Sequence, residues 1–175
     1  MKLRDMTQCG LFAALLSVCA WLSLPIADIA FTLQTFGVLL TLALLGGKKG
    51  TLSIFLYLLL GAVGLPVFTG FQGGIGVLLG PTGGYLVGFL FSGLAYWLLC
   101  GILNTGKTGS LMGMIFGLLV CYLVGSFWFW MLYLSQGSPI GFAAVLAKCV
   151  VPYLIPDGIK LAAAWLLSHR LKRFL

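Results

Sequence analysis

The chain has 175 residues, 61% of them hydrophobic before its 25 glycines are counted, and ten basic side chains against three acidic ones, a net charge of +7. Soluble domains average about 45–50% apolar and about 25% charged residues, so three aspartates and no glutamate cannot clothe a water-facing surface. A soluble globular enzyme is excluded; a membrane-crossing helix takes roughly 20 residues, and the expectation is one integral membrane domain over residues 1–175 with about six spans.

Six apolar segments can be drawn in chain order. The first runs from about Met6 to Leu24, stopping before Pro25. It follows Lys2 and Arg4 as a secretory leader would, yet it lacks small residues at cleavage offsets and is read as a retained first helix. The second covers about Leu33 to Leu45 and is closed by Gly46-Gly47-Lys48-Lys49. The third runs from Thr51 to about Leu65, ended by Pro66. The fourth spans about Pro81 to Leu103, the fifth about Leu111 to Leu134, and the sixth about Pro156 to the basic tail. Between the last two, Gly141 to Val151 reads as a short helix interrupted by Pro152 and Pro156.

The charges orient these segments. Lys2, Arg4, Lys48, Lys49, Lys107, Arg170, Lys172 and Arg173 fall on one side and Lys148 on the other. Such a bias predicts cytoplasmic termini. The basic residues form no stripe, so nucleic-acid binding is not expected. The inner connections are short and basic. The outer ones, Pro25 to Thr32, Pro66 to Gly80 and Ser135 to Pro156, are long and rich in glycine and proline. Irregular backbone at membrane depth survives only under protein or beside a wet cavity, so these three predict a capped cavity opening outward.

Two ionisable residues enter the last span, Asp157 and Lys160. Charges there are costly and usually functional, and i, i+3 spacing puts both on one helix face. Pro156 reads as a first helical residue, which places the pair in the opening turn. They form either a self-neutralising salt bridge or a ligand site with one acceptor and one cation. The stretch Pro66 to Gly74, followed by Gly80-Pro81-Thr82-Gly83-Gly84-Tyr85, is the second candidate. Its glycines admit close backbone approach, Gln72 carries both donors and an acceptor, and Phe68, Phe71 and Tyr85 can wall an apolar ligand. No Gly-Lys-Ser/Thr follows, so it is not a phosphate loop.

Catalysis and metal binding find no set of residues. His169 is the sole histidine, carboxylates are unpaired, and Cys9, Cys19, Cys100, Cys121 and Cys149 are scattered. Those thiols read as small buried hydrophobes. Neither a metal nor a cofactor is expected. The first helix carries small residues four apart, at Cys9, Ala13 and Ser17 and at Gly10 and Ala14. That spacing lets helices approach closely in lipid, either within the domain or toward another membrane subunit.

The stretches Thr32-Leu33-Gln34-Thr35, Tyr57 through Phe68, Gly80-Pro81-Thr82-Gly83-Gly84-Tyr85, and Pro152 through Lys160 with its Pro-Asp-x-x-Lys ending resemble the BioY family, in order and over nearly the whole chain. BioY proteins are the biotin-specific substrate-binding subunits (S components) of energy-coupling factor (ECF) transporters. The resemblance implies an all-α integral membrane fold with six helices, cytoplasmic termini, and a vitamin site near the outer face roofed by outer loops. It implies no ATPase activity in the chain. Its partners would be a transmembrane coupling subunit and two ATP-binding subunits, in a bacterial cell membrane. By chemistry, Lys160 would meet the biotin carboxylate and Asp157 the ureido N–H groups, an assignment that can be reversed. Gln72 matches an amide over that ring, Tyr85 and Phe68 would pack on the bicycle, and Gln34 would reach in from the first outer loop. The first helix resembles the family's docking surface, with Ala13 and Ser17 as interface residues, though serine and cysteine stand here where an alanine pair is commonest. Two alternatives stay open: an S component for another carboxylate vitamin such as lipoate, and a stand-alone proton-coupled carrier using Asp157 as its proton-binding acid.

Overall fold

The computed structural model describes residues 2–24, 31–102, 107–135, 137 and 140–172. Its helices are α1 (Leu3–Trp21), α2 (Gln34–Ala62), α3 (Ile75–Leu79), α4 (Gly83–Ile102), α5 (Lys107–Ser135), α6 (Phe142–Cys149) and α7 (Val151–Leu171), with a 3-10 turn at Thr69–Phe71. Strands β1 (Ser23–Leu24) and β2 (Phe31–Thr32) pair antiparallel, Ser23 opposite Thr32.

Helix α2 is a hairpin in all but name. Gly46 leaves helical geometry at φ 77°, ψ 174°, a left-handed conformation that glycine adopts without steric cost. Beyond it the chain doubles back. The Gln34 side-chain nitrogen donates to the Tyr57 hydroxyl at 2.6 Å, whereas a straight helix would hold positions 23 residues apart roughly 35 Å from one another. A Cβ on Gly50 would lie 3.0 Å from the Leu42 backbone, so the two arms touch near the turn. The second and third apolar segments of the sequence are these arms.

The tip of the hairpin is fastened to the start of α1. Lys49 Nζ lies 2.5 Å from Asp5 Oδ1 and also donates to Gln8. The basic residues of the first loop and of the N-terminus therefore share one end of the molecule, as their charge pattern predicts. Gln34 and Tyr57 mark the other end, where the β pair, the 66–80 connection, α6 and the start of α7 gather.

The molecule turns its apolar side chains outward. On α7 the buried residues are Asp157, Lys160, Ala164 and Ser168, at helical spacing, while Leu154, Ile155, Ile159 and Leu166 are exposed. Lipid accepts such a surface; on α7 small and polar residues face the neighbouring helices, while elsewhere Leu16, Leu39, Leu42, Ile54 and Phe89 pack a buried apolar core. Helices Gln34–Ala62, Gly83–Ile102 and Thr108–Ser135 are each long and apolar enough to cross a membrane; α6 and α7, bent by 45° at their junction, meet that standard together.

Three expectations are corrected. The outer connection 66–80 contains the 3-10 turn and α3 instead of plain loop, and residues 25–30 of the first outer connection lie outside the described ones. The last helix begins at Val151 and not at Pro156. Pro152 fits the first turn, where a backbone N–H has no helical partner. Asp157 and Lys160 thus lie beyond the opening turn.

The stripe of Ala13 and Ser17 faces inward. Ala13 is 1% and Ser17 5% exposed, and α1 lies along α2, where a Cβ on Gly37 would strike the Cys19 sulfur. These residues seat α1 on the hairpin. The outward small positions are Gly10, half-buried, and Ala14, exposed.

Candidate functional site

A cavity of about 440 Å³ opens among the ends of the helices at the Gln34–Tyr57 end. Gln34, Phe68, Gln72, Tyr85, Asp157 and Lys160, the ligand residues expected from sequence, all line it. Four elements bring them there, the start of α2, the 66–74 segment, α4 and α7, while α5 adds Cys121 and Tyr122 and α6 adds Cys149 to the lining.

Its polar focus is the pair on α7. Lys160 Nζ lies 2.7 Å from Asp157 Oδ1 and donates to the Thr32 carbonyl, also at 2.7 Å. The Phe31 ring sits 4.0 Å from the same nitrogen, an attractive placement for a cation. Asp157 accepts at its other oxygen from the Tyr122 hydroxyl at 2.7 Å. Asp157 and Lys160 are 3% and 7% exposed. Burying two charges is tolerable because each is paired and further hydrogen-bonded. A carboxylate has about four acceptor sites and an ammonium three donors, so Asp157 keeps lone pairs and Lys160 one N–H for a further partner.

The walls are built by removing side chains elsewhere. Phe68 is 1% exposed; its ring occupies the space a Cβ on Gly61 would need, 2.0 Å away, and meets Tyr57 edge-on at 5.5 Å. Tyr85 fills a notch at Gly125, where a Cβ would come within 2.3 Å of the ring, and its hydroxyl lies 3.3 Å from Ser126 Oγ. Gln72 is exposed at the rim, held by the Phe68 N–H donating to its carbonyl at 2.9 Å. The adjoining Phe71 takes φ 57°, a strained value for a bulky residue, and stacks on Trp21 at 5.0 Å. Gln34 sits deep, with its amide on Tyr57.

Tyr122, Thr32 and Phe31 escaped the sequence reading. Tyr122 lies in an unbroken apolar run, and the Thr32 contribution is a backbone carbonyl, to which no side-chain pattern points. Cys121 and Cys149 also line the cavity; all five cysteines are free and buried. Among the described residues no group of three or more histidine, cysteine or acidic side chains is placed to hold a metal.

A family model described as the BioY family matches residues 1–175. The chain belongs to the BioY family. It is 41% identical over 172 residues to a probable biotin transporter BioY of Pyrococcus horikoshii, covering 98% of each chain. It is 40% identical over 173 residues to the biotin transporter BioY of Thermotoga maritima, covering 98% of this chain and 97% of that one. In structure it resembles the crystallised S-component for biotin from an ECF-type ABC transporter, with a TM-score of 0.84 and 28% identity over 97% of this chain and 91% of the other.

Proposed function

We propose that the chain is a biotin-binding membrane subunit of an ECF-type uptake system, taking biotin from outside for import by partners that hydrolyse ATP. The observation that carries the reading is the buried Asp157–Lys160 pair in a cavity walled by Phe68 and Tyr85, in a chain whose relatives are named for biotin transport. A cyclic urea presents N–H donors beside a carbonyl, and the pair offers an acceptor beside a donor.

The orientation favoured by this geometry reverses the assignment of Lys160 to the biotin carboxylate. Asp157 already balances Lys160, so a second carboxylate at that depth would put two anions on one buried ammonium, at a high desolvation cost. The neutral ureido head carries no such cost. Its N–H would reach Asp157 and its carbonyl Lys160, with Phe68 and Tyr85 against the bicycle, Gln34 beside them, and the valerate tail rising toward Gln72 at the rim.

The membrane reading has six spans: α1, the two arms of α2, α4, α5 and α7. The termini would be cytoplasmic, in keeping with Lys2, Arg4, Lys48 and Lys49 at one end. A transmembrane coupling subunit and two ATP-binding subunits would supply the energy, with the outward face of α1 around Gly10 and Ala14 as the docking surface in a bacterial cell membrane. No enzymatic activity is proposed for the chain itself.

Titration of the purified protein with biotin tests the reading. One saturable site per chain is expected. An intact, ligand-free sample that takes up no biotin would overturn it.

A further inference from the structure

Among the described residues that line the cavity Lys160 is the only cation, and its charge is already balanced by Asp157, with the Thr32 carbonyl and the Phe31 ring as further partners. Apart from Asp157 the remaining polar lining is neutral, including Ser23, Gln34, Thr35, Gln72, Thr82 and Tyr153. Residues 25–30 contain no lysine or arginine, and the other basic residue expected at this end, Lys148, is exposed on α6 and outside the lining. Burial also grades along the cavity. The charged pair is at the closed end, whereas Gly70 and Gln72 at the rim are exposed.

From these observations we infer that the site reads the ureido head of its ligand and not the charge of its tail, so that it also takes ligands whose carboxyl group is masked as an amide, including biotin joined through its carboxyl to an amine such as the lysine side chain. The inference rests on the orientation proposed above. A site built to select a free carboxylate would aim an unspent guanidinium or ammonium at it. Here an amide can exchange hydrogen bonds with neutral hydroxyl and amide groups as well as an acid can, and an atom chain continuing past the carbonyl leaves through an exposed rim.

The test is competition on the unmodified full-length protein in detergent, with biotin, its primary amide and Nε-biotinyl-lysine displacing labelled biotin. All three dissociation constants are expected to fall within about tenfold, a difference of about 1.4 kcal/mol. Tight binding of the acid with either amide more than tenfold weaker would overturn the inference and return Lys160 to the carboxylate, leaving biotin binding intact. Absence of binding by biotin itself would instead remove the proposed function. The Lys160→Met, Asp157→Asn double variant, which leaves no unpaired buried charge, is expected to lose acid and amide equally. Selective loss of the acid would refute the inference independently.

Discussion

Tyr122 and Lys160 divide one carboxylate between them, and the division fixes which way Asp157 points. Tyr122 reaches Asp157 from α5 and Lys160 from one turn along α7. Removing the Tyr122 hydroxyl leaves Asp157 with a single partner, and one hydrogen bond to a charged group is worth about 1.5–3 kcal/mol. Tyr122→Phe is therefore expected to weaken biotin binding by about tenfold or more while the protein still unfolds cooperatively; an unchanged dissociation constant would show that Tyr122 does not position the acid. Removing one charge is a harsher change. Lys160→Ala strands a buried carboxylate, and breaking a buried pair costs about 3–5 kcal/mol. Its melting temperature should fall well below that of the double variant Lys160→Met, Asp157→Asn, in which both charges are absent, and a differential scan of the two checks this.

At the scale of the element, two glycines decide geometry that no side chain could. Gly46 turns the α2 hairpin with a positive φ. An alanine in that conformation, which is essentially confined to glycine, is strained by roughly 1–3 kcal/mol, so Gly46→Ala should lower thermal stability with little effect on ligand affinity, because the turn lies at the end of the molecule away from the cavity. Gly125 lies under the Tyr85 ring. Gly125→Ala should displace that ring and weaken biotin binding, with overpacking costing about 1–3 kcal/mol; comparison of the two variants by melting and by titration separates fold from site. The sequence carried much of this. The hairpin arms, the Asp157–Lys160 face and the glycine-rich segment holding Phe68 and Gln72 were all visible because composition changes abruptly at their borders. The start of α7 at Val151 is not legible, because Pro152 has the same letter whether it begins a helix or ends one. Tyr122 is not legible either, because a hydroxyl in an apolar run gives no sign of an acid 35 positions along the chain.

At the scale of the whole molecule, lipid removes the usual distinction between inside and outside. Two stripes of small residues run along α1, Cys9–Ala13–Ser17 and Gly10–Ala14, and in water their neighbours' polarity would show which faces solvent. In a membrane both faces are apolar, so spacing alone could not tell the stripe that packs on α2 from the one left outside. Burial tells them apart: Ala13 is 1% exposed and Ala14 is exposed. A paired substitution puts the distinction to use. Ala13→Leu adds volume to a close contact between α1 and α2 and should destabilise the isolated protein by about 1–3 kcal/mol, with loss of folded material on size-exclusion chromatography. Ala14 is exposed, so for Ala14→Leu stability and biotin titration should match the unaltered protein. If the outward face of α1 receives the coupling subunit, that same variant should fail to co-purify with it and fail to support biotin uptake in cells. Uptake at the normal rate by Ala14→Leu would place the docking surface on another helix.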